Sequence, residues 1–487
     1  MKKIKPSFYT LCIPVPETDD YLFYNTETGG LEQIDFSLGR IIEQLQQLGE
    51  SKDLSSFDPQ YTETIFQLLE KGYMVDHEAD EKALFHSRYL SKREVLQTKD
   101  NSSIFITIGT TIICNMGCPY CFEFVKPPKS LKDDVTNRQI VAYIESMINK
   151  APAKFSSLNI TWYGGEPLVN KSAIEKLTPL FLDLTERYNL NYKADIITNG
   201  ILLSPQVWDM LVQNKVFNVQ VTIDGTQEIH DIQRPLKGKN EKNYHQILEN
   251  LAQMPSEVGV NIRMNVDKKV AASFWPLLCD LKEYGIWPQK YKQVFFTPAW
   301  LRTYEEEAKD GIPDGRLSNE DFFDEVQSFR KMQLTLFNEY AEQQGLRKAK
   351  LKFELPKQQE ECATWASPYG AVIDPEGNVH KCWETIHDDK QSLKHVSQGF
   401  NFEDFRKHID YDRFEVAEEC YNCKFLPVCD QLSCSHHAVN NGKPPCTFWK
   451  QKAEPIIKQQ YLELHNNPDK ITLPEMIDVV NTGHSNK

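Results

Sequence analysis

Six apolar runs between residues 103 and 300 constrain this chain more than any other feature: "IFITIGTTIIC", "LNITWYGG", "ADIITNG", "NVQVTIDG", "VNIRMNV" and "KQVFFTP". Each is followed by helix-compatible sequence, and polar or cysteine residues gather where each run ends. Strands alternating with helices in this way build parallel βα units, which close into a full or partial barrel with the working face at the C-terminal ends of the strands. The predicted fold class is therefore α/β.

Four further segments flank or follow the barrel. Residues 1–90 read as a small winged-helix-like α+β domain: "YLFYNTETGGLEQID" predicts two short strands around a Gly29-Gly30 turn, and "FSLGRIIEQLQQL" and "YTETIFQLLEKGYMV" predict two helices. In the second, Ile65, Leu68 and Leu69 share a face, Gly72 suits the position after the helix, and Tyr73-Met74-Val75 suits a strand. Residues 301–355 read as a loop, "EEEAKDGIPDGRL", and a long helical bridge; 356–450 are cysteine-rich with little periodicity; 451–487 form a helical tail.

The net charge is −14, from 55 basic and 69 acidic residues, with no long basic run, which argues against nucleic acid as a partner. The N-terminus has no apolar core for a signal peptide, and no run approaches the roughly 20 apolar residues of a membrane span. The expected location is cytoplasmic, without membrane association. In such a chain clustered thiols are more often metal ligands than disulfides. Ten of the 12 cysteines fall in 114–121 and 362–446, leaving Cys12 and Cys279 to be read as small buried apolar residues.

Cys114, Cys118 and Cys121 form C-x3-C-x2-C at the end of the first strand. Tetrahedral zinc takes four ligands, and a 4Fe-4S cluster has four irons. Three thiolates on such a cluster leave one iron open to a substrate or cofactor. With Tyr120 before the last cysteine, the motif resembles the signature of the radical S-adenosylmethionine (radical SAM) enzymes. The resemblance implies a partial (β/α)6 TIM-like barrel whose open iron chelates S-adenosylmethionine, which is cleaved reductively to a 5′-deoxyadenosyl radical that abstracts hydrogen from substrate.

The other strand ends agree. "WYGGEP" places Gly164, Gly165 and Glu166 where the family carries its GGEP motif, against the methionine ammonium. Thr198 and Asn199 in "TNG", Thr222 and Asp224 in "VTIDG", and Arg263 and Asn265 in "IRMNVD" resemble positions contacting the nucleoside hydroxyls and the carboxylate. Tyr120 and Phe122 are expected to flank adenine. Glu123, Glu384 and His387 are unranked candidates for an acid or base.

Cys362, Gly377, Cys382, then Cys420-x2-Cys423-x5-Cys429-x4-Cys434 and Cys446 resemble the SPASM extension of these enzymes. The gap before Cys434 is one residue longer than usual. The resemblance implies two auxiliary 4Fe-4S clusters, three in all. Cys420, Cys423, Cys429 and Cys446 would complete one. Cys362, Cys382 and Cys434 would hold the other, one ligand short, because "ATWASPYG" lacks the additional cysteine of fully ligated members. A substrate thiolate is a candidate fourth ligand, with water or another side chain as the alternative.

The front domain resembles the leader-recognition module of peptide maturases, which adds an unstructured leader along a sheet edge; Asp19, Asp20, Glu27, Glu32 and Asp35 argue against DNA there. The expectation is a maturase that cross-links a ribosomally made precursor peptide, thioether favoured over carbon–carbon or carbon–oxygen, with flavodoxin or ferredoxin as electron donor. A sulfatase-maturase-like, formylglycine-forming enzyme is the runner-up; in those relatives an aspartate base follows the second SPASM cysteine, where Trp383 stands here. A non-catalytic, metal-stabilised peptide-binding protein is the alternative of another class.

Overall fold

Strand after strand of this chain pairs with its sequence neighbour, as short βα connections require. The computed structural model describes residues 3–123, 127–238, 242–302, 315–442, 444–467 and 471–472; most of the loop expected before the long helix and the tail beyond 472 lie outside them. Two compact units emerge. The first takes the described residues of 1–95, 350–362 and 411–472, the second those of 96–349 and 363–410.

In the first unit, β1 (Lys3–Pro6), β5 (Lys52–Asp53) and β6 (Met74–Asp76) form one antiparallel sheet with β1 central. A second holds β2 (Thr10–Val15), β3 (Asp20–Asn25) and β4 (Leu31–Asp35) in that order. The hairpin β3–β4, helices α1 (Phe36–Leu48) and α2 (Thr62–Glu70), and β6 fall where the sequence places them. Asp35 caps α1 by accepting from the amides of Ser37 and Leu38. β3 is buried on both faces: Tyr21 and Phe23 meet the helices, and Tyr24 donates its hydroxyl to the Pro356 carbonyl. Cys12 lies buried in β2, and burial pushes its thiol up to about 12, which makes it inert, as a small apolar residue should be. Helix Trp449–Asn466 also belongs to this unit, with Tyr461 donating to Asp20 Oδ2 at 2.7 Å.

In the second unit, β7 (Ser102–Thr111), β8 (Phe155–Gly164), β9 (Asn191–Thr198), β10 (Val216–Thr222), β11 (Gly259–Val266) and β12 (Val294–Trp300) run parallel in sequential order. Alternate residues such as Ile104, Ile106, Ile108, Trp162 and Ile196 face the helix-covered core. The opposite, concave face carries Asn159, Thr161, Asp195, Gln220 and Asn261, unlike the packed aliphatic layers of a closed barrel. The sheet stays open: Gly370–Ile373 adds in parallel beside β7, two short antiparallel strands follow, and β12 ends the other side. This is the partial (β/α)6 barrel expected.

Helix Asn319–Gln343 is the long helix of the bridge segment. Cys279 departs from expectation: it is exposed. Leu277, Leu278 and Leu281 take the buried face of helix Phe274–Glu283, and the 100° step per residue turns position 279 to the outside. Among the described residues, no helix is long and apolar enough to cross a membrane.

Candidate functional site

Cys114, Cys118 and Cys121 lie on the loop that leaves β7, so the end of that strand determines where the thiols stand. Two glycines at the C-terminal end of β8, its last residue and the one after, fix it. Gly164 adopts φ +122°, and a Cβ there would sit 2.0 Å from the Thr111 carbonyl oxygen; at Gly165 it would meet the Ile112 and Ile113 carbonyls at 2.4 and 2.7 Å. Only glycine permits that approach. The amides of Gly165 and Glu166 then donate to the carbonyls of Thr111 and Ile113, at 2.9 and 3.0 Å. On its far side the cysteine loop is tied to residues 235–237: Gly117 donates to the Pro235 carbonyl, and Lys237 to that of Asn115, each at 2.8 Å. The Cys114 sulfur accepts from the Met116 amide at 3.4 Å.

Glu166 is fully buried and joins β8 to β9. Its carboxylate accepts from Thr198 Oγ1 and the Asn199 amide, both at 2.7 Å, and from the Leu168 amide at 3.1 Å. Burial pushes this carboxyl up, while the three donors pull it back. Asn199 Nδ2 donates to Asn115 Oδ1 at 2.7 Å, which couples the end of β9 to the cysteine loop.

Tyr120 is the hub of a second network. Its hydroxyl donates to Asp224 Oδ2 and accepts from Arg234 Nη1 and, at 3.2 Å, from Asn265 Nδ2. The Asn265 amide donates to Asp224 Oδ1 at 2.7 Å, and Arg263 Nε to Asn265 Oδ1 at 3.2 Å. Arg234 stands 3.7 Å from the wholly buried Asp224 carboxylate. Burial raises Asp224, and Arg234 and the donors oppose it. Thr222 is buried at the same strand end. Phe122 packs against an apolar cluster of Ile112, Tyr163, Val372 and Ile386, which Trp383 also joins, its ring 5.2 Å from that of Tyr163. Glu123 is buried, and Glu384 and His387 are partly buried.

Sequence reasoning missed Arg234 and His230. His230 Nδ1 accepts from the Asp224 amide at 3.1 Å, so its protonated Nε2 donates to Asn243 Oδ1, at 3.0 Å. Burial and the Arg234 charge pull its pKa to about 3, and it is neutral. The available signal was "IHDIQRP", which puts a histidine and an arginine four apart, the histidine in a short helix and the arginine just past its end, soon after a strand end.

In the first unit, Cys420, Cys423, Cys429 and Cys446 line a single pocket with an apolar floor of Phe425, Leu426 and Leu432. Four thiols converging without a disulfide are the donor set of a metal centre. Burial pushes the Cys429 thiol up to about 11, so that thiolate needs a cation to form. Cys362 donates its amide to the Ser433 carbonyl at 3.1 Å, bringing it beside Cys434. Cys382, in the second unit, follows Lys381, whose buried ammonium donates to the carbonyls of Ser367 and Gly370 at 2.7 and 2.6 Å.

Residues 108–269 match the Radical SAM superfamily, and the chain carries that domain. The chain is 24% identical over 221 residues to the radical SAM cyclopropyl synthase TigE of Paramaledivibacter caminithermalis, covering 42% of this chain and 45% of that protein. It is 23% identical over 356 residues to the cysteine-type anaerobic sulfatase-maturating enzyme of Clostridium novyi, covering 65% and 83%. The matched stretches span under half the length of the first three curated relatives. Among solved structures, "Native anSMEcpe with bound AdoMet" superposes with a TM-score of 0.54 at 20% identity, over 74% of this chain and 98% of that one, which shows a shared fold.

Proposed function

We propose that this chain is a radical SAM maturase that abstracts hydrogen from a ribosomally made precursor peptide and installs a cross-link, a thioether in preference to a carbon–carbon or carbon–oxygen bond. The observation that carries the reading is the three-thiol loop, fixed at the C-terminal end of β7 by glycines that nothing larger could replace. A 4Fe-4S cluster held by Cys114, Cys118 and Cys121 would present one open iron to S-adenosylmethionine and deliver the electron that yields the 5′-deoxyadenosyl radical. Glu166, Thr198 and Asn199 hold the ends of β8 and β9 in place beside that loop. Asp224, Arg263 and Asn265, with Thr222, offer polar groups to the nucleoside and carboxylate. Tyr120, whose hydroxyl is fully engaged, fixes those groups relative to the cysteine loop.

The four-thiol pocket suits one auxiliary cluster, and Cys362, Cys382 and Cys434 are assigned to a second, with a substrate thiolate as its fourth ligand. The outer edge of β4 pairs with no strand among the described residues and would accept a leader peptide by strand addition. Flavodoxin or ferredoxin would supply electrons. Formylglycine formation is the second reading, favoured by the Clostridium novyi relative; against it stands Trp383, an indole where a carboxylate base is required. Incubation of the reconstituted protein with S-adenosylmethionine, reductant and a cysteine-containing precursor peptide is expected to remove two hydrogens from the peptide and leave the cysteine resistant to alkylation. A peptide that keeps its mass while S-adenosylmethionine is consumed would rule out that substrate class, and an aldehyde at a serine or cysteine would establish the second reading.

A further inference from the structure

The pocket formed by Cys420, Cys423, Cys429 and Cys446 has three polar side chains in its wall besides the thiols: Glu419, Thr447 and Lys450. Lys450 Nζ lies 4.0 Å from Cys446 Sγ. Thr447 is 4% exposed, and its Oγ1 has no partner among the described residues. An orphaned buried hydroxyl costs about 1–3 kcal/mol, so native proteins leave few. The remaining walls are Phe425, Leu426, Leu432, Pro444 and Pro445, whose side chains accept nothing. Apart from the exposed carboxylate of Glu419, which does not pair with Thr447 Oγ1, the side-chain acceptor that the pocket offers an O–H donor is sulfur.

We propose that Thr447, through its hydroxyl, and Lys450, through its ammonium, donate to the sulfurs of a cluster held by these four cysteines and raise its reduction potential. The inference rests on reading those cysteines as cluster ligands. Reduction adds negative charge to the sulfurs, so a donor or a cation beside them stabilises the reduced form more than the oxidised one. Glu419 is exposed and of opposite sign, and acts in the other direction. A raised potential suits this site to accept the electron that a substrate radical must lose when it closes a bond.

The test is an EPR-monitored redox titration of the anaerobically reconstituted full chain carrying Cys114, Cys118 and Cys121→Ala, which leaves only auxiliary clusters, about eight irons in all. Thr447→Val preserves shape and removes the hydroxyl; Thr447→Ser keeps it. The expected result is that one of the two waves moves to lower potential in Thr447→Val and Lys450→Met, stays in Thr447→Ser, and moves upward in Glu419→Gln. A tenfold fall in the equilibrium constant for reduction would read as a 59 mV shift of a one-electron couple. Unmoved waves in Thr447→Val and Lys450→Met with full iron would overturn the proposal. Loss of about four irons from Thr447→Val but not from Thr447→Ser would support contact between hydroxyl and cluster, whereas loss from both would overturn it, since packing alone would then be at stake. A parent protein without iron would instead refute the reading of the cysteines, and the iron count separates the two failures.

Discussion

Gly164→Ala should cripple the site without touching a cysteine. The new methyl would stand 2.0 Å from the Thr111 carbonyl oxygen, and φ +122° is a conformation alanine avoids. To restore ordinary contact the ends of β7 and β8 must separate by about 1.4 Å, and that carbonyl accepts the Gly165 amide, so the hydrogen bond goes as well. The backbone strain costs about 1–3 kcal/mol and the overpacking a similar amount, about 2–6 kcal/mol together. Because the cysteine loop begins three residues beyond Thr111, a displacement of this size reaches the thiols, and an ångström of misplacement can cost about 100-fold in rate. The assay is 5′-deoxyadenosine formation per loaded protein, with iron counted in the same sample and stability read by urea unfolding. Gly285→Ala is the control: it shares a positive φ, +67°, but a Cβ there meets nothing within 4 Å. It should lose about 1 kcal/mol and keep full activity. A Gly164→Ala protein cleaving S-adenosylmethionine at the rate of the Gly285→Ala control would refute the argument that this close approach positions the cluster loop.

Arg234→Met leaves the Asp224 carboxylate buried without its cation and should cost about 3–5 kcal/mol by urea unfolding, with part recovered on adding Asp224→Asn; a loss below about 1 kcal/mol would mean the pair is dispensable. His230, with its pKa depressed to about 3, contributes stability that is complete above the ordinary value of 6.5 and is lost as pH falls toward 3, where the unfolded chain takes up a proton the folded one refuses. The slope from this one group is about 1.4 kcal/mol per pH unit within that window, and His230→Gln should abolish it; an unchanged slope would show that the ring protonates in place. Asp35→Ala removes the cap of α1 and should cost about 1 kcal/mol in thermal unfolding, against no change if the helix is held by packing alone.

The barrel was legible because its strands announce themselves by apolar runs and its chemistry by residues at their ends. The cysteine triad, GGEP, Thr198, Asp224 and Asn265 all fall at strand ends on the page as in space. What escaped has physical reasons. The run Gly370–Ile373 is four residues long and became a strand only because β7 offered it an edge. β2 hid behind Pro14, which a strand tolerates because β2 lies at the edge of its sheet. Arg234 and His230 escaped because their role is tertiary: the segment after β10 brings them back to Asp224, and the spacing of "IHDIQRP" does not by itself name that partner. The glycines of GGEP were expected to make room for a ligand, and the structure shows them first making room for the neighbouring strand end.

The measurement that bears most directly on the central claim is anaerobic reconstitution with iron and sulfide, followed by S-adenosylmethionine and a strong reductant, with 5′-deoxyadenosine assayed beside a Cys114/Cys118/Cys121→Ala variant. The account predicts about twelve irons per chain, about four fewer in the variant, and 5′-deoxyadenosine only when the triad is intact. A protein that binds zinc in place of iron, or that holds its clusters and never cleaves the cofactor, would contradict it and leave a metal-stabilised peptide-binding protein as the reading.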